Sequence, residues 1–310
     1  MLRVVFLRAD PPDETMPPTS SEWLCSVPAS ALQRHGWDVR IRASYEVHTE
    51  HSLLDWADII IVERSAFSVS ELAVSIWRNR GKRVLLRFDD AYGLMPDFSQ
   101  SYDMWNVLNI RGVLAYDRFV QSFPLFDSYS TPSRVLVNDY LELADGIYIP
   151  NRPDLTVFPQ PETFRSGHHF LNIAWGGSIP HRQSWENSGA ADAINKLVGK
   201  NESFRLCLLC QRDWFPKLFH VPYIAYQWTP IHKYRLRLRR IADIGLAPLA
   251  GEYDERRSWI KVLVYALLGI PWVASNVGPY KECKGGILVD NEADAWIEAI
   301  SRMLDDGFRL

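Results

Sequence analysis

Three groups of residues in this chain have the types and spacing to handle charge. In the first, Arg256, Arg257 and Lys261 surround Ser258, just after the apolar run Ile244 to Leu249. The run reads as a buried parallel strand. Ile260, Leu263, Val264, Leu267 and Leu268 recur at helical spacing, so a helix is expected to open at Ser258 as its cap. A helix starting at the carboxyl end of a strand presents free amides and a positive dipole end, and Arg257 and Lys261, four apart, add charge on one face. Phosphate is the anion that suits this arrangement. The plainer alternative is a set of solvated charges on an ordinary first turn.

The second group is F-L-N-I-A-W-G-G-S-I-P-H at 170 to 181, a strand running directly into Gly176, Gly177 and Ser178. Paired glycines let a phosphate approach the backbone without a Cβ clash, and successive N–H groups can cradle it. The third group is Asp10, Glu63, Arg64, Asp89 and Asp90, each at or just beyond the end of a strand-like run: Arg3 to Leu7, Asp58 to Val62 and Arg83 to Phe88. In open α/β sheets ligands gather beyond the carboxyl ends of the strands. Consecutive carboxylates there can supply a base or hold an acceptor hydroxyl; they can equally cap the next segment. If the strand continued, Asp89 and Asp90 would point to opposite faces.

The elements that must position these groups alternate. Strands at Arg3 to Leu7, Trp37 to Ile41, Asp58 to Val62 and Arg83 to Phe88 are separated by helices at Glu22 to His35, Leu53 to Ala57 and Val69 to Arg80. Ser128 to Thr131 and Gly146 to Pro150 add two more strands around a helix from Pro132 to about Leu143. Strands alternating with helices predict a doubly wound parallel sheet. Residues 91 to 126 are rich in aromatics, among them Tyr102, Trp105, Tyr116, Phe119, Phe123 and Phe126, which serve either core packing or an acceptor platform. Pro153, Pro159 and Pro161 mark an extended linker. Domains are therefore expected at 1–160 and 161–295, with a final helix segment at 296–310.

The second half repeats the alternation. Helices are expected at Trp185 to Val198 and Thr229 to Arg240, and strands at Phe204 to Leu209 and Val221 to Trp228. Gly269 and Pro271 stop the helix that follows Ser258. A strand at Trp272 to Ala274, a short strand in G-G-I-L-V-D and a helix at Asn291 to Leu304 complete the half. The run H-K-Y-R-L-R-L-R-R at 232 to 240 invites a nucleic-acid reading, but Tyr234, Leu238 and Ile241 fall on one helical face, leaving a basic outer face.

With 310 residues, 47% of them hydrophobic, and a net charge of −3, the chain is a globular protein with no general attraction to nucleic acid or anionic lipid. No stretch has 18 uncharged apolar residues, and Arg3, Arg8 and Asp10 do not suit a signal peptide, so a cytoplasmic protein is expected. Cys207 and Cys210 have redox or metal-pair spacing, yet lie within an apolar run with no second pair, which favours a core strand. No G-x-G-x-x-G follows the first strand, which excludes a dinucleotide dehydrogenase.

The segment A-D-I-G-L-A-P-L, then R-S-W-I-K-V-L-V-Y-A-L-L-G-I-P-W-V-A-S, then G-G-I-L-V resembles the carboxyl-terminal half of nucleotide-sugar glycosyltransferases of GT-B architecture, in the large retaining group that includes sucrose and glycogen synthases. W-G-G-S-x-x-H resembles the donor-binding opening of that family, R-F-D-D-A-Y-G-L-M-P its D-D-x-L-W-x-x-P, and P-N-R-P-D the passage between its domains. The resemblance implies two Rossmann-like doubly wound domains facing across a cleft. It implies transfer of a sugar from a nucleoside diphosphate donor to a hydroxyl acceptor with retention of configuration. Gly176, Gly177, Ser178, Arg257, Ser258 and Lys261 would then bind donor phosphate, and His181 the sugar or phosphate. Trp228 would line the nucleobase pocket, Asp10, Glu63 and Arg64 the acceptor side, and Asp89 and Asp90 the catalytic region. The family's ribose-holding glutamate falls on Val264, and Arg257 replaces a lysine.

No D-x-D dyad stands at a strand end, so no metal and no cofactor beyond the nucleotide-sugar co-substrate is expected. Glycans, metabolites and a hydroxymethylated base of phage DNA are compatible acceptors. A nucleotide-sugar-binding protein without transfer and a nucleotide-sugar epimerase are the alternatives.

Overall fold

The computed structural model describes residues 1–10, 19–44, 46, 51–64, 71–99, 101–106, 112–156, 171–200, 204–210 and 218–305. The chain divides into two compact units, Met1–Asp154 and Leu155–Leu310. The boundary expected near residue 160 and the prolines Pro159 and Pro161 lie outside the described residues.

In the first unit six parallel strands form one sheet: β1 (Arg3–Arg8), β2 (Asp38–Ala43), β3 (Ile59–Glu63), β4 (Arg83–Arg87), β5 (Ser128–Thr131) and β6 (Gly146–Tyr148). Their order is β2-β1-β3-β4-β5-β6, so the winding reverses between β1 and β3. These strands form because continuous runs such as V-V-F-L and I-I-I-V are apolar on both faces, and both faces are covered: Val4, Val5, Phe6, Ile60 and Val62 are wholly buried. The expected first helix is a π-helical turn, Glu22–Ser26, continued by an α-helix, Val27–Arg34.

Beyond β4, Phe88, Tyr92, Trp105, Phe119, Phe123, Tyr129 and Tyr140 form one aromatic cluster, with Tyr92 stacked on Trp105 at 3.8 Å and Phe123 on Tyr140 at 4.9 Å. Tyr92, Trp105, Phe119 and Phe123 are buried in it, and Phe126 is buried nearby in the chain. Five of the aromatics between 91 and 126 are thus core, which decides that alternative against an exposed platform for them.

In the second unit the sheet runs β12-β11-β10-β7-β8-β9. Its strands are β7 (Leu171–Gly176), β8 (Phe204–Leu209), β9 (Tyr223–Tyr226), β10 (Ile244–Ala247), β11 (Trp272–Ser275) and β12 (Ile287–Val289), all parallel. The reversal lies between β7 and β10. The core joins Trp175, Trp185, Leu206, Leu208, Leu246, Val273 and Trp296. Cys207 in β8 and Cys210 just after it are buried free thiols, as the core-strand reading requires.

Three local expectations are corrected. The helix expected at Trp185 to Val198 is two helices, Arg182–Asn187 and Ala190–Lys200, parted at Gly189. The loop expected at 250 to 257 contains a helical turn, Glu252–Glu255. The helix Ile231–Ile241 does not keep all its cations outside, since Arg235 is buried with Ile231 and Leu238. Among the described residues no helix is long and apolar enough to cross a membrane.

Candidate functional site

Each unit gathers its charge-handling residues at the point where its sheet reverses. In the second unit β7 ends in Trp175 and Gly176, and the helix Ile260–Leu267 lies against the neighbouring strands β10 and β11. That helix ends where its sequence stops it: Gly269 at φ 68° turns the chain, and Ile270 and Gly269 donate their amides back to Tyr265 and Ala266 at 2.9 and 3.1 Å. Its start differs from expectation. Trp259, not Ser258, occupies the cap position, and no side chain caps the helix, so Ser258 stands half-buried in the preceding loop.

Lys261 projects from the first turn of this helix onto β7. Its ammonium donates to the Gly176 carbonyl and sits 4.6 Å from the centre of the Trp175 ring. A Cβ on Gly177 would come within 2.5 Å of that ring and 3.0 Å of the ammonium, so only glycine allows this closeness. The Gly177 amide donates to Leu209 at 3.2 Å, which removes it from the expected cradle and leaves close approach as the use of the glycine. Ser178 accepts from the His181 amide at 3.2 Å, closing the turn that carries the histidine.

His181 is buried with its ring edge-on to Trp175 at 5.6 Å, and among the described residues its Nδ1 has no hydrogen-bond partner. Burial, then the charges of Arg257 and Lys261, push it well below the usual histidine range, so the ring is neutral. Lys261 is held down to about 7 by burial and by Arg257, with Asp254 acting in the other direction. Gly176, Gly177, His181, Arg257 and Lys261 are therefore brought together at one strand end.

Asp254 is the organiser that sequence reasoning missed. It is buried, accepts from the Ser184 hydroxyl at 2.5 Å and the Ala250 amide at 2.8 Å, and lies 4.0 Å from Arg257 Nη1. Tyr234 and Tyr265 were missed as supports: the Tyr234 hydroxyl occupies the place of a Gly176 Cβ, and the Tyr265 hydroxyl donates to the Leu246 carbonyl at 2.8 Å. Trp228 lies half-buried between β9 and the helix Ile231–Ile241. Val264, where the resemblance has glutamate, is buried in the core.

In the first unit, β1 and β3 deliver Asp10, Glu63 and Arg64 to one network. The wholly buried Glu63 carboxylate accepts from the Ala9 amide at 2.9 Å, from Ser21 at 2.6 Å, and from Arg64 Nη2 at 2.6 Å. Arg64 Nη2 also donates to Asp10 at 2.6 Å. Its backbone, at φ 51°, is the left-handed conformation that non-glycine residues rarely adopt. Burial opposes ionisation of Asp10, but the charge and hydrogen bonds of Arg64, helped by Ser21, hold it below the ordinary carboxylate range. The same carboxylates, with Tyr92 and Asp89, keep Arg64 well above the ordinary value despite its burial.

Asp89 behaves oppositely. Burial, with the adjacent Asp90 carboxylate, raises it to about 7. The strand ends at Arg87, so the alternation that would have parted Asp89 from Asp90 does not reach them. Asp89 is buried and Asp90 half-buried, and both act on the Tyr92 hydroxyl. Ser21 and Tyr92 were not singled out by sequence; only the fold places them beside β3 and β4. Among the described residues no cluster of three or more His, Cys, Asp or Glu is arranged to hold a metal ion.

The two-unit architecture is that of solved GT-B proteins. An alpha,alpha-trehalose-phosphate synthase (UDP-forming) from Burkholderia vietnamiensis is similar with a TM-score of 0.61 at 12% identity, over 99% of this chain and 90% of that one. A trehalose-6-phosphate protein from E. coli, bound with UDP-2-fluoro glucose, gives 0.60 at 11% identity over 99% and 92%. The lipopolysaccharide outer core galactosyltransferase WaaB in its apo form gives 0.57 at 13% identity over 99% and 91%. No protein-family model and no curated protein matches the chain. At these identities the likeness establishes the fold: GT-B, two Rossmann-like parallel-sheet units.

Proposed function

We propose that this chain is a glycosyltransferase that moves a sugar from a nucleoside diphosphate donor to a hydroxyl acceptor, with retention and without a metal ion. The observation that carries the reading is the convergence of Lys261, Arg257 and neutral His181 on the glycine end of β7, at the reversal point of the second sheet. Two cations in a partly desolvated pocket match a diphosphate, and the similar E. coli structure holds a UDP sugar.

In this reading Lys261 and Arg257 neutralise the charge that grows on the departing diphosphate. That supplies the electrostatic help for which other transferases use a cation. The neutral His181 ring donates from or accepts at a nitrogen without adding charge, which suits contact with a sugar hydroxyl. With retention, the leaving phosphate takes the acceptor proton and no protein base is essential.

Calorimetry with UDP and GDP, followed by transfer assays in EDTA, tests the proposal. Binding of one nucleotide and undiminished transfer in EDTA are expected. Silence toward both nucleotides sinks it, loss of turnover restored by Mg²⁺ removes metal independence, and isomerised donor in the absence of acceptor would indicate an epimerase.

A further inference from the structure

The two helix layers of the second unit differ in charge. On one face of its sheet, the helices Arg182–Asn187, Ala190–Lys200 and Ala293–Asp305 cover the core around Trp175, Trp185 and Trp296. They mix both signs, as in the pairs Arg182 with Glu186 at 2.9 Å and Lys196 with Asp294 at 3.7 Å. On the other face Tyr234 meets Gly176 and Tyr265 meets Gly245, so the helices Ile231–Ile241 and Ile260–Leu267 lie there. These two carry Lys233, Arg235, Arg237, Arg239, Arg240 and Lys261, and no carboxylate. The whole chain has a net charge of −3, so the excess is local segregation and not overall composition.

The helix Ile231–Ile241 gathers these cations against its own stability. Lys233 with Arg237 and Arg235 with Arg239 are four apart, and Arg237 with Arg240 three apart, spacings at which like charges repel. Lys233 also stands in the first turn, where the helix dipole disfavours a cation. Arg235 is turned inward and Arg237 lies 5.8 Å over the Tyr226 ring. Lys233 and Arg240 are exposed, and among the described residues neither forms an ion pair or a hydrogen bond. Asp243, beyond the carboxyl end of the helix, accepts the Asn172 amide at 2.8 Å. Arg205 of β8, in register with Asn172, adds a further cation to the same face. Lys233, Leu236 and Arg240 fall at i, i+3 and i+7, so Leu236, 43% exposed, stands between two cations in one outward row.

We propose that this face docks onto an anionic lipid bilayer, with the cations meeting the headgroups and Leu236 entering the headgroup boundary. Lipid phosphates answer the charges that the chain leaves unpaired, and the leucine leaves water. Nucleic-acid surfaces interleave their cations with Ser, Thr, Asn or Gln, and the helix has none of these. An exposed aliphatic side chain in the middle of the row suits acyl chains instead. The inference is independent of the transferase reading, since Lys233, Leu236 and Arg240 lie outside the strand-end site.

Co-sedimentation of the whole chain with vesicles tests this, using phosphatidylcholine alone and phosphatidylcholine mixed in equal parts with phosphatidylglycerol. Partitioning onto the anionic vesicles is expected to be at least about tenfold stronger at low salt, with the gap narrowing as salt is added. Lys233→Glu combined with Arg240→Glu should lower it by at least about tenfold, and Leu236→Ser by roughly three- to fivefold. Lys196→Glu combined with Arg302→Glu, the same change of charge on the opposite layer, should leave it within about twofold. All five side chains are exposed, so melting curves are expected to show every variant folded. Equal binding to the two vesicle types, equal loss in the two double variants, or tighter binding to a DNA duplex than to the anionic vesicles overturns the proposal.

Discussion

Asp254 accepts a 2.5 Å hydrogen bond from Ser184, a residue 70 positions earlier, and so ties the segment that follows β7 to the loop that follows β10. The same carboxylate oxygen takes the Ala250 amide at 2.8 Å, and the other lies nearest Arg257. One buried carboxylate thus joins the segment that carries His181 to the one that carries Arg257.

Asp254→Ala leaves the Ser184 hydroxyl and the Ala250 amide without their acceptor and should cost about 2–4 kcal/mol of stability. Ser184→Ala keeps the carboxylate and should cost about 1 kcal/mol. Denaturant melts measure both. Calorimetry on the folded Asp254→Asn variant should show nucleotide affinity reduced by about tenfold, because Arg257 is no longer held; unchanged affinity would make Asp254 merely structural.

Nucleotide affinity should depend on pH through Lys261. Burial and Arg257 bring its free-state value to about 7, while a bound phosphate holds the proton on. Above that pH the free chain is deprotonated and the complex is not, so binding should take up a proton and weaken by up to about tenfold per pH unit. Between about 7 and 10.5 the folded chain also holds fewer protons than the unfolded one, so its stability should rise with pH. Lys261→Met should abolish the binding slope and raise the melting temperature of the free chain.

Asp89 gives the opposite slope. Its folded value, about 7, stands above the ordinary 3.8, so the folded chain carries an extra proton in that window and stability should fall as pH rises through it. Asp89→Asn should flatten the fall. With retention, Asp89→Asn and Asp90→Asn should each keep transfer within about tenfold of the parent. A folded single variant that loses transfer would identify an inverting enzyme with a carboxylate base.

Gly177→Ala should cost about 1–3 kcal/mol, since the new methyl would press on the fully buried Trp175 ring, which has nowhere to move. It should also weaken nucleotide binding, because Lys261 shares that space. A melt and a titration on the same sample separate the two effects.

Strand positions were largely legible because the bodies of buried parallel strands are apolar runs: V-V-F-L is the body of β1 and L-C-L-L that of β8. Helix breaks were less so. Gly189 splits a pattern whose apolar spacing carries across the break, and Ser258 looks like a cap while the chain enters the helix at Trp259. In the site, charged residues at strand ends were found because topology alone sends them there. Asp254, Tyr234 and Tyr92 were not, since each matters through a partner far away in the chain or through a vacancy in hydrogen bonding. Arg235 shows the limit of charge patterning, for a cation in a basic run is buried.

The left-handed backbone at Arg64 sets two goods against each other. Glycine is the residue that would relax that conformation at no steric cost, yet it would delete the guanidinium that Asp10 and Glu63 both hold. Attempts to toughen this protein by easing its backbone will therefore find their most tempting target where relief and chemistry are mutually exclusive.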